Sequence, residues 1–316
     1  MRLDLRPSFC ALILLVLAGC GGSGLGNSGG SGGSGSGNAI PAADHVFLVV
    51  LENHSFSQVI GSPSMPYLNG LAAQNSLATN YFADIHPSIG NYFMLTTGQI
   101  INSDDAFPGP VSADNLARAF AGAGKTWKAY MQSIPSQGYI GGDVLPYVKH
   151  HNPFAYFTDV AGSDGQHATA LAANIVPLTQ LPVDMAGNAL PNFGFIIPDL
   201  DNDAHDCPGG GSSCPDSARL SAADVWLSNN IDPLIKSPAF ANSVLIITFD
   251  EGNITDLANV GGQVATMLVG SHVKTSFRST TLYQHQSTLR LILDLLKVGD
   301  RPGASATAAS MNEFFQ

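Results

Sequence analysis

The sequence predicts an α/β domain with a mostly parallel central sheet. Its clearest element is the run 244–249, in which five apolar residues surround one threonine and which stops at an acidic pair and a glycine. Long β-branched and aromatic runs without polar alternation are typical of strands buried on both faces. Similar runs alternate along the chain with stretches of helical periodicity, which is the pattern of α/β proteins.

The remaining elements follow from the same apolar patterns. Strands are predicted at 45–51, 125–131, 192–198, 244–249 and 264–270, and helices at 65–76, 112–120, 221–235 and 288–296. The helix at 221–235 is amphipathic, and the residues expected toward the core are Val225, Trp226, Leu227 and Ile231. An apolar stretch after Ser88 that ends at Gly98 predicts one more helix. The segment 132–165 is rich in glycine, proline and aromatic residues and predicts irregular structure.

The composition predicts one large globular domain at 44–316. Of the 316 residues, 45% are hydrophobic and 12% are charged, so this part of the chain can bury a large core. The net charge is −11, and no basic run interleaved with aromatic residues is present, which argues against nucleic acid as a partner. An acidic protein that binds a phosphate-bearing ligand needs a local positive charge, most simply a metal ion.

Residues 1–19 have the features of a lipoprotein signal peptide. Two arginines precede an apolar run that is too short to span a bilayer as a helix. The run closes with LAGC at 17–20, which resembles the lipobox of bacterial lipoproteins and implies lipidation of Cys20. Residues 20–43 then form a Gly/Ser-rich flexible tether, so we expect an exported, membrane-anchored protein that faces the periplasm or the cell exterior. The alternative is an ordinary secretory signal.

Two cysteines remain in the predicted domain, Cys207 and Cys214. They lie close together in a Gly/Ser-rich loop. A disulfide there agrees with an oxidising compartment outside the cytoplasm. A zinc site is the alternative, although two cysteines alone do not make one.

Side chains with metal-binding or acid–base chemistry follow several predicted strands. They are Glu52 and Asn53, His86 and Ser88, Asp203, His205 and Asp206, and Asp250 and Glu251, with His285 just before the last helix. In open α/β sheets ligands bind beyond the carboxyl ends of the strands, so we expect these side chains to converge. Oxygen ligands mixed with imidazole suit a divalent cation, which lowers the pKa of a serine hydroxyl and neutralises a phosphoryl group.

Each of these features also has a simpler interpretation. An acidic turn after a strand is often only solvated, and a serine before a helix, such as Ser88, is most often a plain N-cap. The same hydroxyl suits attack on a phosphate, because a helix N-terminus stabilises an anion. The aspartates at 199–206 lack the glycine and glutamate of an EF-hand loop, and the spacing of His150 and His151 alone indicates surface residues.

Taken in order, these motifs resemble a known family, the bacterial phosphoesterases that include secreted acid phosphatases and phospholipases C. The resemblance is carried by ENHSF at 52–56, HPS at 86–88 with Asn91 and Tyr92, HNP at 151–153, DAHD at 203–206, DEG at 250–252, and His285. The family lies in the alkaline-phosphatase-like superfamily. The resemblance therefore implies a three-layer α/β/α fold and a site for a divalent metal cation.

The resemblance also implies a role for each matching residue. The metal ligands would be Glu52, Asn53, Ser88, Asp250 and Glu251, with Asp203 and Asp206 as further ligands or their supports. Ser88 would be the nucleophile that becomes transiently phosphorylated. The groups that contact the phosphoryl oxygens or protonate the leaving group would be His86, His205 and His285, and those that bind substrate would be His151 and Asn91.

We therefore predict a metal-dependent phosphoric ester hydrolase of the acid-phosphatase type. A phospholipase C acting on phospholipid headgroups is the nearest alternative, which apolar residues such as Phe154, Tyr156 and Phe157 permit. Two features favour the phosphatase. Residues 52–56 are ENHSF, whereas the phospholipase branch has ENRSF at this motif, and the chain is short. A further alternative is a surface-anchored binding protein that has lost activity. Sulfatase or phosphonate chemistry is another, although no modifiable cysteine lies near Ser88.

Overall fold

The centre of the structure is an eight-stranded sheet built from the apolar runs of the sequence. The computed structural model describes residues 39–211 and 213–316. The predicted signal peptide, Cys20 and most of the predicted tether lie outside the described residues. Every helix within these described ranges is too short or too polar to span a bilayer.

The strands and helices have the following bounds. The strands are β1 (His45–Leu51), β2 (Ser76–Ala78), β3 (Tyr81–Phe82), β4 (Trp127–Met131), β5 (Ile175–Pro177), β6 (Phe193–Ile197), β7 (Ser243–Phe249), β8 (Thr266–Gly270), β9 (Arg278–Ser279) and β10 (Tyr283–Gln284). The α-helices are α1 (Phe56–Val59), α2 (Pro66–Gln74), α3 (Ile89–Thr97), α4 (Leu116–Gly122), α5 (Thr158–Ala161), α6 (Gln180–Ala186), α7 (Asp216–Asn230), α8 (Asp232–Lys236) and α9 (His285–Leu295).

The large sheet is mostly parallel, as predicted. Its strand order is β5-β4-β6-β1-β7-β8-β2-β9. All neighbouring pairs from β5 to β7 are parallel, and β8 runs antiparallel to both of its neighbours. β3 and β10 form a separate two-stranded parallel sheet.

The core lies on both faces of the sheet. Residues 46–51 of β1 and every residue of β7 are buried, so helices and loops cover the central strands on each side. Helix α3 packs against α9, and α2 packs against α7. Phe154, Tyr156 and Phe157, which the sequence permitted as lipid contacts, are buried in this core instead.

The predicted helix at 221–235 starts earlier and is interrupted near its end. The observed α7 begins at Asp216, and Pro233 lies in the first turn of α8, where a residue without an N–H donor is tolerated. Val225, which was expected toward the core, is 59% exposed. The other apolar residues assigned to the core face are buried as predicted.

Two other helix boundaries differ from the prediction. α4 begins at Leu116, because the Asn115 side chain caps it and accepts from the Arg118 N–H at 3.1 Å. α9 begins at His285, which is therefore its first residue rather than a loop residue ahead of it. The predicted disulfide is confirmed: Cys207 and Cys214 are bonded, with Cα atoms 5.7 Å apart, in the loop that leads into α7.

Candidate active site

Three neighbouring parallel strands bring acidic residues to one edge of the sheet. β1 lies between β6 and β7, and its last residue, Leu51, pairs with Phe249 of β7. Glu52 and Asp250 follow these residues, and the Asp250 N–H donates to Leu51 O at 2.8 Å. The Glu52 N–H donates to the carbonyl of Asp203, in the loop after β6, also at 2.8 Å. The strand register therefore places Glu52, Asp203 and Asp250 side by side.

Glu52 is fully buried at the centre of this edge. Its Oε1 accepts from the Tyr92 hydroxyl at 2.5 Å, and its Oε2 accepts from the Ser88 hydroxyl at 3.1 Å. Burial raises the pKa of Glu52 well above its usual range, and the charges of Asp250 and Asp203 raise it further. An ionised carboxylate is stable here only if positive charge compensates it.

Ser88 precedes α3 but directs its hydroxyl to Glu52 rather than to the helix. Its side chain makes no capping hydrogen bond. The Ile89 N–H at the start of α3 donates instead to Asp105 Oδ1 at 3.0 Å. Ser88 therefore occupies the N-cap position of α3 without capping it through its side chain, and Asp105 accepts from the first N–H of the helix instead.

His151 lies between two of the acidic residues. The 3₁₀ helix Lys149–His151 places its Nε2 3.3 Å from Glu52 Oε1 and its Nδ1 3.5 Å from Asp203 Oδ2. The Tyr92 ring stacks on the imidazole, with ring centroids 5.0 Å apart. One ligand atom from each of Glu52, His151 and Asp203 lies within 4.8 Å of the others, so this group could hold a metal ion. The expected substrate-binding residue His151 thus occupies a position that suits a metal ligand.

Asp250 and Glu251 face the same site from the end of β7. The Asn53 N–H donates to Asp250 Oδ1 at 3.1 Å, and Asn53 adopts a φ of 56°, which asparagine tolerates better than most residues. Glu251 Oε1 lies 3.1 Å from His86 Nδ1, and His86 Nε2 donates to Asp256 O at 3.1 Å. Burial raises the pKa of Glu251 to about 7, and the contact with Glu251 raises the pKa of His86. Glu251 therefore holds His86 beside the other acids.

The acidic cluster, defined as Glu52, Asp203, Asp250 and Glu251, has the donor set of a divalent metal site. Its buried oxygen atoms without a hydrogen-bond partner in the described part of the chain are Asp203 Oδ2, Asp250 Oδ2 and Glu251 Oε2. Burying several like charges without partners costs free energy. Carboxylate oxygens combined with the His151 imidazole suit a hard or borderline divalent cation. The residues present therefore fit the predicted metal ion.

Two residues expected to touch the substrate lie behind the site instead. His285 is fully buried, its Nε2 donates to Asp250 O at 2.6 Å, and its Nδ1 accepts from the Tyr81 hydroxyl at 3.1 Å. Both ring nitrogens are thus occupied, so His285 positions the Asp250 backbone and has no atom left for a phosphoryl oxygen. Asn91 accepts from the N–H groups of Asp84 and Ile85 and stabilises the loop ahead of Ser88.

His205 and Asp206 form a half-exposed pair at the rim. His205 Nδ1 lies 2.8 Å from Asp206 Oδ1, and the two side chains are 38% and 48% exposed. The His205 N–H donates to Asp203 Oδ1 at 2.8 Å, which ties the pair to the acidic cluster. Asp206 is therefore placed to orient His205, whereas Asp203 belongs to the group that could hold a metal ion.

A cleft of about 380 Å³ opens onto Ser88. Its wall includes Asn53, His205 and Glu251 from the predicted motifs, together with His54 and Arg219, to which sequence reasoning gave no role. His54 lies within the ENHSF motif and could have been singled out there. Arg219 lies outside every motif, and no pattern in the sequence indicates that α7 brings it to this cleft.

Known proteins resemble this chain in both sequence and fold. The model of the phosphoesterase family matches residues 62–299. Phosphatidylinositol-3-phosphatase of Mycobacterium tuberculosis is 30% identical over 83% of this chain and 81% of its own length. A probable acid phosphatase of Kluyveromyces lactis is 27% identical over 77% of this chain. The match spans only 56% of the length of that relative.

The fold has solved counterparts as well. One is the crystal structure of a Vibrio parahaemolyticus protein in the alkaline phosphatase superfamily. It superposes on this chain with a TM-score of 0.61 at 12% sequence identity, and the match covers 88% of this chain and 74% of the Vibrio protein. This similarity confirms the predicted fold class. The family match, together with the mycobacterial relative, shows that this chain belongs to the phosphoesterase family.

Proposed function

We propose that this protein is a metal-dependent hydrolase of phosphate esters, of the acid-phosphatase type, that works through a phosphorylated Ser88. That the chain is a phosphoric ester hydrolase follows from its family and from its phosphatase-named relatives. One arrangement of side chains best supports both the metal dependence and the role of Ser88 as the nucleophile. The Ser88 hydroxyl donates to buried Glu52 beside carboxylate oxygens that lack hydrogen-bond partners among the described residues.

The residues that would hold the cation are Glu52 and its neighbours. They are Glu52, Asp203, Asp250 and His151, with Glu251, Asn53 and the Ser88 hydroxyl next to them. A bound divalent cation supplies positive charge that lowers the pKa of a serine hydroxyl and neutralises a phosphoryl group. Such charge is needed, because Arg219 is the only lysine or arginine among the described residues that line the cleft.

Ser88 transfers the phosphoryl group in two steps. In the first, Ser88 Oγ forms a bond to phosphorus while the bond to the leaving oxygen breaks, and the hydroxyl proton passes toward Glu52 Oε2. In the second, water gives a proton to His205 and attacks phosphorus, the bond from phosphorus to Ser88 Oγ breaks, inorganic phosphate leaves, and Oγ takes its proton back from Glu52 Oε2. His205 lines the cleft with its Nδ1 on Asp206, so its other nitrogen is oriented to give a proton to the leaving oxygen.

We also propose export and a lipid anchor at Cys20. The support comes from the sequence at 1–43 and from the disulfide, which suits an oxidising compartment. A Cys20→Ala variant should fail to incorporate a labelled fatty acid during growth. Equal labelling of the variant and the native protein would contradict the anchor.

Phospholipase C activity is the second candidate, because apolar side chains are exposed beside the cleft. Ile254 lines the cleft, and Ile254, Leu257 and Val260 are 65%, 70% and 61% exposed in one loop. Clustered exposed apolar groups often mark a contact with lipid or protein. The name of the mycobacterial relative refers to a phosphoinositide, which also has an apolar part. These observations favour a lipid ester over a fully soluble one.

Two assays test the proposal. Hydrolysis of p-nitrophenyl phosphate should be lost on chelation and restored by a divalent metal, whereas a folded protein inactive with every divalent metal would contradict phosphomonoesterase activity. In parallel, phosphatidylinositol 3-phosphate and phosphatidylcholine are offered in vesicles. Release of inorganic phosphate from the first supports the phosphatase, and release of phosphocholine from the second supports phospholipase C.

A further inference from the structure

Two side chains in the wall of the cleft have hydrogen-bonding atoms that the proposed reaction does not use. They are His54, just beyond β1, and Arg219, in the first turns of α7. Both line the same cleft as Ser88, and neither belongs to the acidic cluster. They are therefore candidates to contact the leaving group, the part of the substrate that is not transferred to Ser88.

His54 is fixed by the backbone and presents a free acceptor. Its Nδ1 lies 3.0 Å from Glu52 O, and because a carbonyl oxygen can only accept, Nδ1 is the donor. The residue is 3% exposed, and its Nε2 has no hydrogen-bond partner in the described part of the chain. With the hydrogen on Nδ1, a neutral ring offers a lone pair at Nε2, which suits a hydroxyl group of a ligand.

Arg219 is only partly neutralised. Its Nη1 donates to Asp216 Oδ1 at 2.8 Å, whereas its Nε is buried without a partner among the described residues. Asp216 is 51% exposed, and ion pairs of this kind are weak because water screens them. A guanidinium carries five N–H donors in a planar fork, so Arg219 retains donors for a second oxyanion.

The charge around the cleft makes Arg219 distinctive. The cleft wall also carries Asp105, Asp216 and Glu251, and the whole chain has a net charge of −11. A cation in such surroundings attracts an anionic group locally, whereas the protein as a whole repels it. The disulfide holds the loop before α7, and Cys207 Sγ lies 3.9 Å from Arg219 Nη2, so the position of the guanidinium is built into the fold.

We propose that His54 and Arg219 form a leaving-group subsite that selects phosphate esters whose leaving group carries a second anionic group. Arg219 pairs with that anion, a carboxylate or another phosphate, and His54 Nε2 accepts from a hydroxyl of the same group. This inference rests on the proposed function, which assigns the transferred phosphate to Ser88 and the acidic cluster.

A matched pair of substrates tests the subsite. Glycerol 3-phosphate and 3-phosphoglycerate differ in a terminal hydroxymethyl group against a carboxylate, so they isolate the second charge. For Arg219→Gln we expect KM for 3-phosphoglycerate to rise about tenfold or more, the usual effect of losing a charge-assisted hydrogen bond, and KM for glycerol 3-phosphate to change by less than about twofold. For Arg219→Lys we expect a smaller rise in KM for 3-phosphoglycerate than for Arg219→Gln, because lysine keeps the positive charge but lacks the planar set of N–H donors.

Arg118→Gln is the matched control, since Arg118 pairs with Asp114 and Asp159 and does not line the cleft. It should alter neither KM. An equal rise in both KM values for Arg219→Gln would show that Arg219 binds the transferred phosphate and would overturn the subsite. Unchanged KM values in Arg219→Gln would also overturn the subsite. The same would follow if Arg118→Gln raised KM for 3-phosphoglycerate as much as Arg219→Gln does.

Failure of the proposed function is separable from failure of the subsite. The proposed function is wrong if the metal-supplied native protein hydrolyses neither these two esters nor p-nitrophenyl phosphate. Whenever neither of the two esters is hydrolysed, the same two compounds are titrated calorimetrically into the native protein and Arg219→Gln. Tighter binding of 3-phosphoglycerate that is lost in the variant supports the subsite. Equal affinities, or no binding of either compound, overturn it.

Discussion

Glu52 shows how one buried carboxylate organises the chemistry of this site. Ser88 donates to one of its oxygens and Tyr92 to the other, while His151 lies 3.3 Å away. Each contact restricts the orientation of the carboxylate, so the Ser88 hydroxyl is positioned through Glu52. Partners of this kind matter for metal binding, because they orient the ligating group.

Replacing Tyr92 by phenylalanine tests this dependence. The change removes the hydroxyl that donates to Glu52 but keeps the ring that stacks on His151. We expect metal affinity and kcat to fall by about 10- to 100-fold, the usual effect of losing a hydrogen bond to a metal ligand. Calorimetric titration of the metal and steady-state kinetics measure both quantities.

The control for this variant is Tyr130→Phe. Tyr130 is also buried and also donates to a carboxylate, Asp184, but on the opposite side of β6 from β1. Its metal affinity should match that of the native protein. A Tyr92→Phe protein that binds metal and turns over like the native one would contradict the role given to Tyr92.

Some residues of the site were predictable and others were not. The acids of the cluster follow apolar runs, and this pattern is visible in the sequence. The direction of the His285 ring is not visible, because it depends on Asp250 O and the Tyr81 hydroxyl, which lie far away in the chain. Asp105 and Arg219 reach the site only through the packing of their segments, so no local pattern indicates them.

At the scale of elements, the long central strands were predictable and the short edge strands were not. β1, β6 and β7 are apolar runs of five to seven residues, buried almost throughout. β5 has three residues and β9 and β10 have two, too few to show a period. Helix starts also depend on caps, as Asn115 shows for α4. A helix boundary therefore needs the capping contact as well as the apolar pattern.

Asp184 joins α6 to strand β4 and predicts an acid-dependent loss of stability. It accepts from Lys128 Nζ at 2.6 Å and from the Tyr130 hydroxyl at 2.7 Å. Burial alone would raise the pKa of Asp184, but the hydrogen bonds from Lys128, Tyr130 and Gln180 outweigh it and lower the pKa. A lowered carboxyl pKa stabilises the fold above the unfolded value of about 4, and this contribution disappears as the pH falls through the folded value.

Asp184→Asn should therefore lower the free energy of unfolding by about 2 kcal/mol at pH 7, and by less below about pH 4. Denaturant unfolding at several pH values measures the difference. Asp114→Asn is the control, because its partner Arg118 and the 74% exposed carboxylate form a surface pair that contributes little. A difference between Asp184→Asn and the native protein that does not change with pH would contradict the ionic character of this contact.

At the scale of the whole molecule, the site depends on the order of the strands. The strands that carry it are neighbours in the order β6-β1-β7, although β1 and β7 are separated by most of the chain. The sequence shows that several strands end in polar residues, but local patterns do not show which strands are adjacent. The resemblance to the phosphoesterase family implied one shared site but no strand order, and the register of β1 with β7 explains why Glu52 and Asp250 meet.

The most direct test of the account is to look for phosphate on Ser88 during turnover. The metal-supplied protein is mixed with p-nitrophenyl phosphate, quenched in acid and digested, and its peptides are analysed by mass spectrometry. We expect phosphate on Ser88, no turnover by Ser88→Ala, and native activity for Ser305→Ala, a buried serine that donates to Pro302 O. A Ser88→Ala protein that hydrolyses the ester at the native rate would contradict the central claim.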